Sequence, residues 1–168
     1  MFARNEYVFH ESGGICRIDD ICISPLDSMP PDREYYIAKP LHDPSSVIYI
    51  PVGSDRIFMR RLLSRAEAEA LLERIPFVRT IEEPNAKLLR AKYVEAMRTH
   101  DPLEWVRVIK TVYLRANAQS AKPNRLSETE RSFFESAKRF LHTELALALE
   151  LPEQNMEQYI TDYIQNMA

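Results

Sequence analysis

The sequence predicts an α+β protein in which a small β barrel or sheet is followed by an all-helical domain of about five helices. Three observations carry this. Up to about Arg61, short stretches rich in Ile, Val and Tyr are cut by turn residues at roughly ten-residue spacing. From Ser64 onward the apolar residues recur with a helical period. Each helical stretch is also introduced by a residue able to cap its first turn, whose backbone amides have no partner within the helix.

In the β part, strands are expected over Glu6 to His10, Gly14 to Ile23, Glu34 to Leu41, Ser46 to Val52 and Arg56 to Arg60. Ser12-Gly13-Gly14, Ser28 to Asp32 and His42 to Ser45 supply turns. Pro40 and Pro51 fall at strand ends, where a missing N–H costs little. Cys16 and Cys22 lie an even six residues apart, which places both on one face of the second strand as small apolar residues rather than a disulfide pair.

In the helical part, Ser64 with Glu67 and Ser127 with Glu130 form capping boxes. Asn85 caps after Pro84, and Asp101 caps a helix with Pro102 at its first position. Helices follow over about 65–75, 86–98, 102–117 and 128–148, with a last one after Pro152 to about 166, and Ala121 to Arg125 is a loop. On the fourth helix, Phe133, Ala137, Leu141, Leu145 and Ala148 form the expected buried stripe. The boundary falls near Arg61 to Ser64 without a Gly/Ser linker, giving domains 1–61 and 62–168.

Composition excludes several classes. The longest apolar run, Val47 to Val52, is far short of the roughly 20 residues that span a bilayer. The N-terminal MFARNEYVFHE has no basic stretch followed by an apolar core, so a cytoplasmic protein is expected. Three glycines, Gly13, Gly14 and Gly53, cannot build a phosphate cradle. His10, His42, His100 and His142 show no metal-ligand spacing, and no triad of nucleophile and base stands out. The expectation is a protein that binds rather than catalyses, with no metal and no cofactor.

Charge is distributed unevenly although the formal net charge is −3. Between Lys87 and Arg139, twelve basic side chains face six acidic ones, a surplus of six, and Glu82, Glu83, Glu144, Glu150, Glu153, Glu157 and Asp162 bracket the zone. On helix 102–117, Arg107, Lys110 and Arg115 fall within an arc of about 140°, opposite Trp105, Val108, Ile109 and Val112. Such a face suits phosphates, and equally an ordinary solvated helix surface.

Several stretches together resemble a known pattern. In the β part these are Gly14-Ile15-Cys16-Arg17-Ile18-Asp19-Asp20-Ile21, Tyr35-Tyr36-Ile37-Ala38-Lys39-Pro40-Leu41 and Ile48-Tyr49-Ile50-Pro51-Val52. In the helical part they are Arg61-Leu62-Leu63-Ser64 with Glu67, Asp101-Pro102-Leu103-Glu104 through Val108-Ile109-Lys110, and Leu126-Ser127 with Glu130-Arg131 leading to Glu144-Leu145-Ala146-Leu147-Ala148-Leu149. Their order and spacing resemble the CarD family of bacterial RNA polymerase-binding transcription regulators over almost the full length. The resemblance implies a Tudor-like β module that docks on the polymerase β subunit by strand addition, and a helical domain that touches promoter DNA beside the melted bubble.

The strands implied in docking are Ile21 to Ser24 and Val47 to Ile50, with Ile23, Ser24, Ile48, Tyr49 and Ile50 as contact candidates. Two polymerase-contacting arginines of the family correspond to Ser24 and Tyr49 here, so those charges are missing or moved. A tryptophan wedge found in several members corresponds to Ala86, which leaves phosphate contacts by Lys87, Arg90, Arg115, Arg131, Lys138 and Arg139. The expected function is a regulator that bridges polymerase and promoter DNA without base-specific reading and shifts open-complex stability. The alternative is a protein–protein adaptor on polymerase that does not bind DNA.

Overall fold

The computed structural model describes residues 1–117 and 126–167, so the loop expected over Ala121 to Arg125 lies outside the described residues. The chain divides into two compact units, Met1–Leu62 and Leu63–Ala168. The first contains β1 (Tyr7–His10), β2 (Gly14–Ile23), β3 (Glu34–Pro40), β4 (Ile48–Pro51) and β5 (Met59–Arg61). They form one antiparallel sheet in the order β4-β3-β2-β1-β5, which meets the expected β architecture. The outer strands are shorter than expected, for local reasons. Among the described residues β5 pairs only with β1, whose last rung joins His10 to Met59, and the Glu11 amide reaching the Phe58 carbonyl at 3.1 Å closes that ladder. Before β4, the Asp43 carboxylate accepts the Ser45 and Ser46 hydroxyls and holds both residues in a turn.

The cysteines do not share a face. Cys16 pairs with Pro40, but the β2–β3 register shifts between Ile18 and Asp20, so Cys22 pairs with Tyr35. One extra residue at Asp19 reverses the side-chain alternation, as a β-bulge must. Cys16 therefore lies in the core with Val8, Ile18, Tyr36, Ala38 and Ile50, where burial pushes its thiol up to about 11, whereas Cys22 is half-buried on the other face. Beyond the bulge it is Ile21 that packs on this cluster, with Phe2, Ile48, Val52, Ile57 and Met59. Phe2 is anchored twice: its ring meets Tyr36 edge-on at 6.0 Å, and its amide donates to the Tyr36 hydroxyl at 3.0 Å.

The second unit holds α1 (Arg65–Arg74), α2 (Ala86–Arg98), α3 (Pro102–Ala116), α4 (Glu128–Leu149) and α5 (Met156–Met167), with single 3₁₀ turns at Ile75–Phe77 and Glu153–Asn155. All four expected caps form: the hydroxyls of Ser64 and Ser127, and the side-chain oxygens of Asn85 and Asp101, accept first-turn amides. Trp105 is fully buried against Phe140, with ring centroids 5.4 Å apart. On α4, Ala137, Leu141 and Leu145 are buried as expected, but Phe133 and Ala148 are only half-buried, while Glu144, Ala146 and Leu149 are buried instead. The reason is that α4 packs on α1, α2, α3 and α5, so its C-terminal half is enclosed on more than one side. The most consequential member of that buried set is Glu144, which is 0% exposed and accepts the Leu63 amide at 2.9 Å. A carboxylate removed from water needs such donors.

Two buried groups make the packing measurable. Glu144→Ala should lower the stability of the helical unit by about 1–3 kcal/mol in urea denaturation, because the Leu63 donor loses its acceptor, and Glu144→Gln should cost less. The other group is His10, a buried residue whose Nδ1 accepts the Gly13 amide at 3.1 Å. Burial holds its pKa below the ordinary 6.5, so in that interval the unfolded chain binds a proton that the folded chain refuses. Stability is therefore complete above about pH 6.5 and declines below it. Amide exchange in the β1–β2 hairpin, corrected for intrinsic rates, should lose protection as the pH falls below about 6.5. His10→Asn, which keeps an acceptor but does not titrate, should flatten that dependence.

Candidate functional site

Two surfaces hold the residues singled out from the sequence, one in each unit. In the β unit, the ladder alternation decides what β4 shows. The Val52 amide donates to the Glu34 carbonyl at 3.0 Å, and Ile50 and Ile48 pair with Tyr36 and Ala38 in the same phase. Tyr49 is out of phase, so its amide and carbonyl point away from β3, and among the described residues no strand pairs with that side of β4. Pro51 belongs to the same outward row, where its missing N–H costs no ladder bond. The side chain of Ile50 is 1% exposed and belongs to the core, and its backbone bonds β3, so neither faces this edge. Ile48 and Tyr49 are half-buried.

The other implied strand end is organised differently. Ile23 is 64% exposed and ends β2 opposite Glu34. Ser24 adopts a left-handed backbone with φ 40°, and its hydroxyl donates to the Pro30 carbonyl at 2.6 Å, so it holds the β2–β3 connection together. The β2 edge facing away from β3 is also blunted. The Asp20 carboxylate accepts the Ile21 amide at 2.9 Å and pairs with Arg4 at 3.1 Å, while the Arg4 Nε donates to the Asp19 carbonyl at 2.8 Å. Beside it, Arg17 and Lys39 share Asp19, whose carboxyl their hydrogen bonds hold below its usual range. Of the two implied edges, β4 is the open one.

In the helical unit, Ala86, Lys87 and Arg90 are exposed on the first turn and a half of α2. Ala86, Arg90 and Arg115 line a cleft of about 280 Å³ together with Tyr93, Ser127 and Glu130, so the helix starts of α2 and α4 and the end of α3 meet there. Its centre is Glu130, a buried carboxylate that accepts from Arg115 Nε at 2.9 Å, from the Ser127 amide at 3.1 Å and from the Tyr93 hydroxyl at 3.4 Å. Burial, and then this carboxylate, push the Tyr93 hydroxyl up to about 12. Glu130 thus ties three helices, and Arg115 is held by it rather than projecting as a free cation.

Arg131 is exposed immediately after Glu130. Arg139 is exposed, with its guanidinium 5.4 Å from the Phe140 ring centroid. Lys138 is drawn to a different place: it pairs with Glu157 at 3.3 Å and lines a cavity with His142 between α3, α4 and α5. Burial first, and the Lys138 charge second, hold His142 below its ordinary pKa. The charged arc expected on α3 is likewise largely committed. Arg107 pairs with Glu104 at 3.6 Å, and the Lys110 ammonium donates to the carbonyls of Ile75, Pro76 and Val78 at 3.1, 2.9 and 2.9 Å. Lys110 therefore closes the C-terminal end of the α1–3₁₀ segment, a role that helical periodicity alone does not signal. Thr111, also missed, buries its hydroxyl and accepts the Ile81 amide at 2.8 Å. Among the described residues, no group of three or more His, Cys, Asp or Glu side chains gathers in a way that holds a metal ion, and no helix is long and apolar enough to cross a membrane.

Comparison with known proteins agrees with this division. Residues 2–63 match the family model described as the CarD-like/TRCF RID domain, and residues 77–161 match the one described as CarD, C-terminal domain. No curated protein matches the chain. With both models matched in order and the C-terminal one alone covering half of the sequence, the chain belongs to the CarD family of RNA polymerase-binding transcription regulators.

Proposed function

We propose that this protein is a cytoplasmic regulator that docks on the RNA polymerase β subunit through the β4 edge of its N-terminal unit and contacts promoter DNA through exposed cations of its helical unit, thereby changing the lifetime of the open complex. The observation that carries the reading is the outward backbone row of β4 within a unit that matches the CarD-like/TRCF RID domain. An extended strand of the partner adds to such an edge by satisfying its amides and carbonyls. The DNA contact is assigned to Lys87, Arg90, Arg131 and Arg139, which are exposed, with Arg115 and Lys138 serving packing because their charges are met by Glu130 and Glu157. With alanine at the family's wedge position, binding is by phosphate neutralisation alone and reads no sequence.

The internal pairing of Arg115, Lys138 and Lys110 also favours a second reading, an adaptor on polymerase that leaves DNA untouched. A salt titration of binding to a promoter fragment separates the two. For the regulator, log K should fall linearly with log salt, and Lys87→Met, Arg90→Met and Arg131→Met should each reduce the slope by about 0.9. Lys110→Met and Arg115→Met should leave the slope unchanged while lowering stability. The adaptor shows no binding even at low salt. The polymerase contact itself is tested by co-purification with the β subunit and by the decay of open complexes, which should change on adding the protein.

A further inference from the structure

We infer that the cavity between α3, α4 and α5 binds a small amphipathic carboxylate, holding its apolar body among the three helices and its head at the Lys138 ammonium. The cavity has a volume of about 400 Å³, which lies in the range of about 300–1,000 Å³ that small-molecule sites occupy. Its apolar walls are Val106 and Ile109 of α3, Phe134 and Leu141 of α4, and Ile160 and Ile164 of α5. Ile109, Phe134, Ile160 and Ile164 are only half-buried, so apolar surface is left for a ligand to cover. A concavity walled by three helices suits a small molecule better than the flatter face of a protein partner. The site uses none of the residues to which polymerase docking or DNA contact is assigned.

The polar groups of the lining select the head. The Lys138 ammonium lies 3.3 Å from the Glu157 carboxylate and 5.5 Å from the centroid of the Phe134 ring, so a cation is held against an apolar wall. The two partners of that ion pair differ in burial, since the Lys138 side chain is 27% exposed and that of Glu157 is 72% exposed. A pair with so exposed a member is weak, and an incoming carboxylate can take the place of Glu157. Lys110 supplies a second ammonium, which among the described residues meets carbonyl oxygens and no carboxylate. The lining thus sets two ammonium groups against one carboxylate, a balance that favours an anionic head over a neutral or cationic one. His142 also lines the cavity and forms no hydrogen bond among the described residues. Burial and the Lys138 charge favour its neutral ring, which keeps one N–H to offer to the head.

Titration of the full-length protein with octanoate and with octanol, followed by amide NMR, tests the site with two probes that share a chain and differ in the head. Octanoate should bind about tenfold more tightly than octanol, and its shifts should centre on Val106, Leu141, His142 and Ile160. Lys138→Met should abolish the preference and Lys138→Arg should keep it. Glu157→Gln, which removes the resident carboxylate, should tighten octanoate binding severalfold and leave octanol unchanged. Thr161→Trp, which fills the cavity from the exposed side of α5, should weaken both probes. The wild-type comparison needs no variant to fold. Absence of octanoate binding, equal affinity for the two probes, or shifts confined to residues outside α3, α4 and α5 overturns the inference. Octanoate binding that neither Lys138→Met weakens nor Glu157→Gln strengthens overturns it as well.

Discussion

The rung between Val52 and Glu34 sets the phase of β4, and with it what this protein presents to a partner. Because the side-chain period of a strand is two, one phase places Ile48 and Ile50 in the β3 ladder and turns the Tyr49 amide outward. The same phase buries the Ile50 side chain in the core and leaves a backbone edge rather than a side-chain patch as the accessible feature. A slip of one residue would expose Ile50 and hide the Tyr49 amide. The core beneath, built on Val8, Ile18, Tyr36 and Ala38, makes that slip costly.

Electrostatics organise the helical unit by a comparable constraint. Half-buried cations need partners, and the chain supplies them internally: Glu130 for Arg115, Glu157 for Lys138, and three carbonyls for Lys110. Of the cations assigned to DNA, Lys87, Arg90, Arg131 and Arg139 remain exposed, on α2 and α4. Glu130 has a double effect, since it caps α4 and at the same time holds Tyr93 of α2 and Arg115 of α3. The spacing of the exposed cations on α2 and α4 thus depends on an acidic residue between them.

Local chemistry was the readable part of the sequence. Capping residues declare helix starts because they act within one turn, so Ser64, Asn85, Asp101 and Ser127 were all identified correctly. Short Ile-, Val- and Tyr-rich stretches between turn residues likewise located all five strands, although pairing partners, which lie elsewhere in the chain, decided where β4 and β5 stop. The bulge at Asp19 has no local signal and inverted the faces of Cys16 and Cys22. Charge counting found the basic zone but not which of its members are neutralised, because the partners of Arg115 and Lys110 lie 15 to 35 residues away. Glu144, read from the sequence as one of the acidic residues that bracket the basic zone, is fully buried because α4 is enclosed by more than one neighbour.

Amide hydrogen exchange at single-residue resolution, with and without RNA polymerase, measures the role of the β4 edge most directly. In the free protein the Tyr49 amide should exchange fast while those of Ile48 and Ile50, bonded to β3, are already protected. On complex formation the Tyr49 amide should become strongly protected and its two neighbours should change little. A complex that forms while the Tyr49 amide continues to exchange as in the free protein would contradict docking by strand addition at β4.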